Sequence, residues 1–144
     1  MSQLKTLEAI KTFAYGGKAH LTLVSKVTGQ RFTYRISKIE GAPGFFVSLL
    51  THPDNVSGYS YLGVIKGRRF WTTYKSCVKE GPALKAFEFF HNQVLVHGRL
   101  PAQLEVWHEG RCCRCARKLT VPSSIEAGIG PECADRLGLW ASAA

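Results

Sequence analysis

His20-Leu21-Thr22-Leu23-Val24 and Arg31-Phe32-Thr33-Tyr34-Arg35-Ile36-Ser37, with Thr28-Gly29 between them, decide the fold of this chain. In the first stretch Leu21 and Leu23 alternate with His20, Thr22 and Val24. In the second, Phe32, Tyr34 and Ile36 alternate with Arg31, Thr33, Arg35 and Ser37. A period of two sends successive side chains to opposite faces of a strand, so each stretch reads as half-buried β. The turn former between them makes an antiparallel hairpin with one apolar face and one wet, basic face.

Outward from the hairpin the pattern changes twice. Upstream, Leu4, Leu7, Ile10 and Phe13 recur every three residues over 2–14, the stripe of a short amphipathic helix that Gly16-Gly17 ends. Downstream, 45–50 is a strand and 52–58 a loop rich in turn formers. Residues 59–65 pair with 68–74 through Lys66-Gly67. Gly81-Pro82 opens a helix whose apolar face is Ala83, Ala86, Phe87, Phe90 and Val94, and Gly98 stops it. Residues 101–106 read as a short linking strand. The expectation is an α+β domain over 1–104, an antiparallel meander of about five strands with one covering helix. A small C-terminal module over 105–144 follows.

Charge separates the same two segments. The chain carries +9 in all; residues 1–104 hold 14 Lys and Arg against five Asp and Glu, whereas 105–144 hold five of each. Attraction for a polyanion is therefore expected upstream of the module. No apolar run approaches the ~18 residues that span a bilayer. The first residues carry acid and lack an apolar signal core, so a cytoplasmic setting without membrane contact is expected.

Five cysteines, three of them between 112 and 115, suggest metal binding in a reducing compartment rather than disulfides. Cys112 and Cys115 form a C-x2-C knuckle, and Cys133 arrives at the start of a short helical pattern. With His108 just upstream, the set suits a closed tetrahedral Zn2+ site, a treble-clef-like zinc knuckle. Asp135, His91, His97 or a partner's group are the alternatives for the fourth ligand. Cys113 faces away from such a knuckle as a bystander, and Cys77 reads as a small core residue. Ser123-x-x-Glu126 is a capping-box signature for a helical turn between the knuckle and Cys133.

Cys112-x-x-Cys115-x-Arg117-x-Leu119-Thr120-x-Pro122-x-Ser124-Ile125-Glu126-x-Gly128-Ile129-Gly130-Pro131-x-Cys133 resembles a small zinc-module family of uncharacterised function, widespread in bacteriophage and actinobacterial proteins. Ala116 departs from that pattern, in which glycine commonly follows the second cysteine, and implies a strained knuckle turn. Phe45-Phe46-Val47-Ser48 and Asp54-Asn55-x-x-x-Tyr59-x-Tyr61-Leu62-Gly63 resemble domains joined to this module in phage and plasmid proteins. The resemblance implies a zinc module of mobile-element origin, set in a bacterial host cell, and no catalytic activity.

No enzyme signature is legible. His108 is followed directly by Glu109 and stands too near Cys112 for the His-x-Glu and Pro-Cys-x-x-Cys pattern of a nucleobase deaminase. His91-Asn92 is the one candidate pair for a zinc-supported nuclease. No P-loop or nucleophile elbow occurs. What remains is binding. Aromatic and basic residues interleave at Arg31–Arg35, Tyr59–Tyr61 and Lys66–Trp71, the composition of sheets that hold single strands by stacking and phosphate contact. Arg31, Arg35, Lys66, Arg68 and Arg69 are the candidate nucleic-acid contacts, with Arg114 and Arg117 beside the knuckle. Phe70 and Trp71 point to opposite faces, so one of them is exposed. The second expectation is a phage protein that binds a host protein.

Overall fold

The computed structural model describes residues 2–52, 58–119, 125 and 128–130. Its elements are β1 (Ser2–Leu4), α1 (Leu7–Ala14), β2 (Lys18–Ser25), β3 (Arg31–Lys38), β4 (Phe45–Leu50), β5 (Tyr59–Lys66), β6 (Arg69–Trp71), α2 (Pro82–Phe90) and β7 (Leu104–His108). A π-helical stretch, His91–Val96, continues α2. The strands form one antiparallel seven-stranded sheet in the order β1-β7-β2-β3-β4-β5-β6, an α+β arrangement with two helices. Among the described residues no helix is long and apolar enough to cross a membrane.

The central hairpin has the expected polarity. Leu21, Leu23, Tyr34 and Ile36 are buried, while Arg31 is exposed and Thr33 and Arg35 are half-buried on the other face. The Tyr34 hydroxyl donates to the Ala83 carbonyl at 2.5 Å, tying the first turn of α2 to the sheet. Phe87 packs on both Tyr34 and Phe70, with ring centroids at 5.1 and 4.8 Å. Phe70 thus turns to the core and Trp71 outward, 40% exposed.

Expectations change at four points. Residues 2–4 are a strand, because helix formation starts only at Thr6, an extended N-cap whose side chain accepts from the Ala9 N–H at 3.2 Å. The predicted linking strand is β7, inserted between β1 and β2. There His108 pairs with both Ser2 and Leu21, and Val106 with both Leu4 and Leu23. The boundary expected between 104 and 105 falls inside this strand. Cys77 is exposed, its thiol 3.8 Å from the Ser60 carbonyl.

The core lies on one face of the sheet, under α1, α2 and the π-helical stretch. It also takes in Cys112, Cys113, Leu119 and Ile129. The cysteine-rich segment therefore shares the apolar core of the sheet. Inside that core His91 is 5% exposed, its Nε2 has no partner among the described residues, and burial lowers its pKa, so the ring is neutral.

Candidate nucleic-acid interface and cysteine knuckle

The opposite face of the sheet is covered by no helix among the described residues. Strand register decides what stands on it. His20 pairs with Arg35, Arg35 with Ser48, and Ser48 with Tyr61. A register shift between Val47 and Ser48 leaves Leu62 unpaired and keeps Tyr59 and Tyr61 on this open side. Farther along, Ser37 pairs with Phe46, Phe46 with Val64, and Val64 with Trp71. Phe46 is 44% exposed and meets Tyr61 edge-on at 6.0 Å. The result is a concentration of rings, Phe46, Tyr59, Tyr61 and Trp71, interleaved with cations.

Those cations divide into groups. Arg35 lies with its guanidinium 4.9 Å from the Tyr59 ring centre, and its buried Nε has no hydrogen-bond partner among the described residues. Arg69 lies 6.0 Å over Trp71 and pairs in register with Lys66 at the turn between β5 and β6. Arg31 is exposed at the hairpin end, opposite Val24. By strand alternation all four stand on the open side. Arg68 is engaged elsewhere: its Nη2 donates to the Val96 carbonyl at 3.0 Å, capping the end of the π-helical stretch. Arg114 and Arg117 sit on the knuckle turn, half-buried and exposed respectively.

One group of residues on this face escaped sequence reasoning. The His20 Nδ1 lies 3.0 Å from the Tyr59 hydroxyl and 3.8 Å from Glu109 Oε1, and Glu109 is also 3.8 Å from Arg111. Burial lowers the His20 pKa; Glu109 raises it and Arg35 and Arg111 lower it, with a net fall. The His20–Glu109 contact is thus a neutral imidazole beside a carboxylate rather than an ion pair. Burial, aided by Glu109 and opposed by Arg35, pushes the Tyr59 hydroxyl up to about 12, so it keeps its proton. These residues lie far apart in sequence and meet only through register. The one advance signal was that alternation put His20 on the wet face.

The knuckle is a tight hairpin. Arg111 bridges Lys118, the Cys112 N–H donates to the Arg117 carbonyl at 2.9 Å, and the Ala116 N–H to the Cys112 carbonyl at 2.9 Å. Ala116 holds φ of 62°, the one non-glycine with positive φ among the described residues, so the strain expected at this position is present. Burial raises the Cys112 thiol, but N–H groups of Gly130, Cys115 and Arg114 and the Cys115 side chain outweigh it, and its pKa falls to about 7. Amides converging on one sulfur favour a thiolate, the form a metal takes.

The other expected ligands are placed differently. Cys115 is exposed beside Cys112. Cys133, Asp135 and the Ser123–Glu126 capping box lie outside the described residues, among which no three candidate side chains converge as a metal site. His108 is 1% exposed. Its Nδ1 accepts from the Gly110 N–H at 3.1 Å, and its Nε2 donates to the Ile125 carbonyl at 2.6 Å. In this geometry neither ring nitrogen is left for a metal. Cys113, expected as a bystander, is buried against α1, and its carbonyl accepts from the Lys18 N–H at 2.7 Å.

No curated protein and no solved structure matches the chain. Residues 102–138, from the strand inserted beside β1 through the cysteine-rich stretch, match the model of a family of unknown function (DUF6011).

Proposed function

We propose that this chain binds single-stranded nucleic acid across the open face of its sheet, and that its cysteine knuckle is a structural zinc site. The observation that carries the reading is Arg35 on Tyr59, beside Phe46, Tyr61 and Trp71, on a face no described helix covers. Stacking platforms and cations on one surface are what a flexible strand needs, since every base has a π-face and every linkage a charge. The excess of basic over acidic residues in 1–104 supports the same reading. Cys112, Cys115 and Cys133 would hold Zn2+, which would lock the knuckle turn and supply no reaction step. The resemblance to a phage and actinobacterial module favours a mobile-element protein working in the cytoplasm of a bacterial host.

Fluorescence anisotropy of a labelled single-stranded oligonucleotide across a salt series tests this. With roughly three to four phosphate contacts, a fourfold rise from ~50 mM salt weakens binding about 20- to 50-fold. Replacing Phe46 and Trp71 with Ala removes about 1–3 kcal/mol per stacked base. Absence of binding at ~50 mM salt overturns the reading.

A host protein as the partner is favoured by a different feature. A groove of about 430 Å³ between the β2–β3 turn and α2 is lined by Leu23, Phe32, Ala86, Phe89 and Leu104, with Lys85 at its rim. Retention of a host protein after nuclease treatment, and its loss on Phe89→Asp, would support that alternative.

A further inference from the structure

The row of residues through His20 marks the open face as more than a cationic platform. Glu109 follows His108, the partner of Leu21, so from the end of β7 it continues a line His20–Arg35–Ser48–Tyr61 that crosses four adjacent strands. Its groups differ in what they accept and donate. Arg35 makes no salt bridge among the described residues, and its guanidinium rests on Tyr59 rather than on a carboxylate. It is a donor seeking an oxyanion. Beside it, His20 is neutral, and Nδ1 faces both the Tyr59 hydroxyl and Glu109. Nδ1 carries the proton where it donates to the Tyr59 oxygen at 3.0 Å, an arrangement the Glu109 carboxylate favours over a lone pair facing it. The Nε2 lone pair then remains as an acceptor, and no hydrogen bond to Nε2 occurs among the described residues.

A row of phosphates would find Glu109 unfavourable and His20 without a proton to give. A strand carrying hydroxyls between its phosphates fits both halves of the row. Resting on the nucleic-acid reading above, we infer that the strand is RNA. Arg35 holds a phosphate, and a neighbouring ribose 2′-hydroxyl donates to the His20 Nε2, with the Tyr59 hydroxyl fixing the ring from behind. The 2′-hydroxyl is the group by which a protein tells RNA from DNA at a given position.

The test uses the full chain with three labelled probes of equal length: oligouridylate RNA, the deoxyuridine DNA, and 2′-O-methyl RNA. RNA binds about tenfold more tightly than DNA, the ratio expected from one well-made hydrogen bond. The 2′-O-methyl strand, which has lost the donor, falls to the DNA level. His20→Phe brings the RNA-to-DNA ratio to about one, whereas Arg35→Gln weakens both strands about equally, by ~10-fold. Cooperative unfolding of each variant establishes that it is folded. Equal binding of RNA and DNA by the unaltered chain, or a ratio that survives in folded His20→Phe, overturns the inference and leaves the nucleic-acid reading standing. Failure of all three probes to bind removes both.

Discussion

At the scale of single residues, the knuckle shows how far spacing can be read. Cys112-x-x-Cys115 predicts a tight turn, and the turn is there, with Ala116 in a left-handed conformation that costs an L-residue about 1–2 kcal/mol. Spacing also made His108 the nearest imidazole, but proximity in sequence says nothing of where a ring points. On β7 it points into the core, against Phe13 at 5.2 Å, with backbone partners on both nitrogens. The proposed zinc site, with His108 outside it, has a definite expected outcome. Purified protein carries one equivalent of zinc by elemental analysis, and Cys112→Ser, Cys115→Ser and Cys133→Ser each lose it. His108→Gln is destabilised but keeps its metal when folded. Retention of zinc by Cys112→Ser would remove the metal assignment altogether.

At the scale of elements, the hairpin, the β5–β6 turn and α2 were legible because amphipathic period and turn chemistry are local properties. β1 and β7 were not. Three residues carry no measurable period, and β7 belongs between β1 and β2 through pairing that no local pattern encodes. The row from Glu109 to Tyr61 was hidden for the same reason. The seating of the knuckle on α1 is equally non-local, and two glycines permit it. A Cβ at Gly16 would stand 2.5 Å from the Cys113 Sγ and 2.7 Å from its carbonyl oxygen. One at Gly128 would stand 2.4 Å from the Phe13 ring. Backbone cannot yield to such a contact by turning a side chain. Gly16→Ala is therefore expected to lower stability by about 1–3 kcal/mol, read from the urea midpoint, with the sheet otherwise intact. An unchanged midpoint would mean that the knuckle does not rest on α1.

At the scale of the whole molecule, charge and core divide the chain differently. Composition places the positive excess in 1–104 and predicts a neutral appendage, yet the apolar core runs from Ile10 and Phe13 into Cys112, Cys113, Leu119 and Ile129. β7 is the link: it lies between β1 and β2, and its outward end leads directly into the knuckle. A fragment of residues 1–104 would lose this strand, leaving β1 without its partner and the inner edge of β2 open. Leu4, Leu21 and Leu23, each 2% exposed or less, would lose Val106 from the same layer. Burying one such aliphatic side chain is worth about 1.5–3 kcal/mol, and a domain's whole margin is about 5–15 kcal/mol, so several partial exposures together exceed what it can lose. The full chain is expected to unfold in one cooperative transition that zinc chelation shifts downward, and the 1–104 fragment to show none. Circular dichroism during thermal and urea unfolding distinguishes the cases. A 1–104 fragment that melts cooperatively, with a midpoint indifferent to chelator in the full chain, would make the basic sheet an independent domain and the knuckle an appendage.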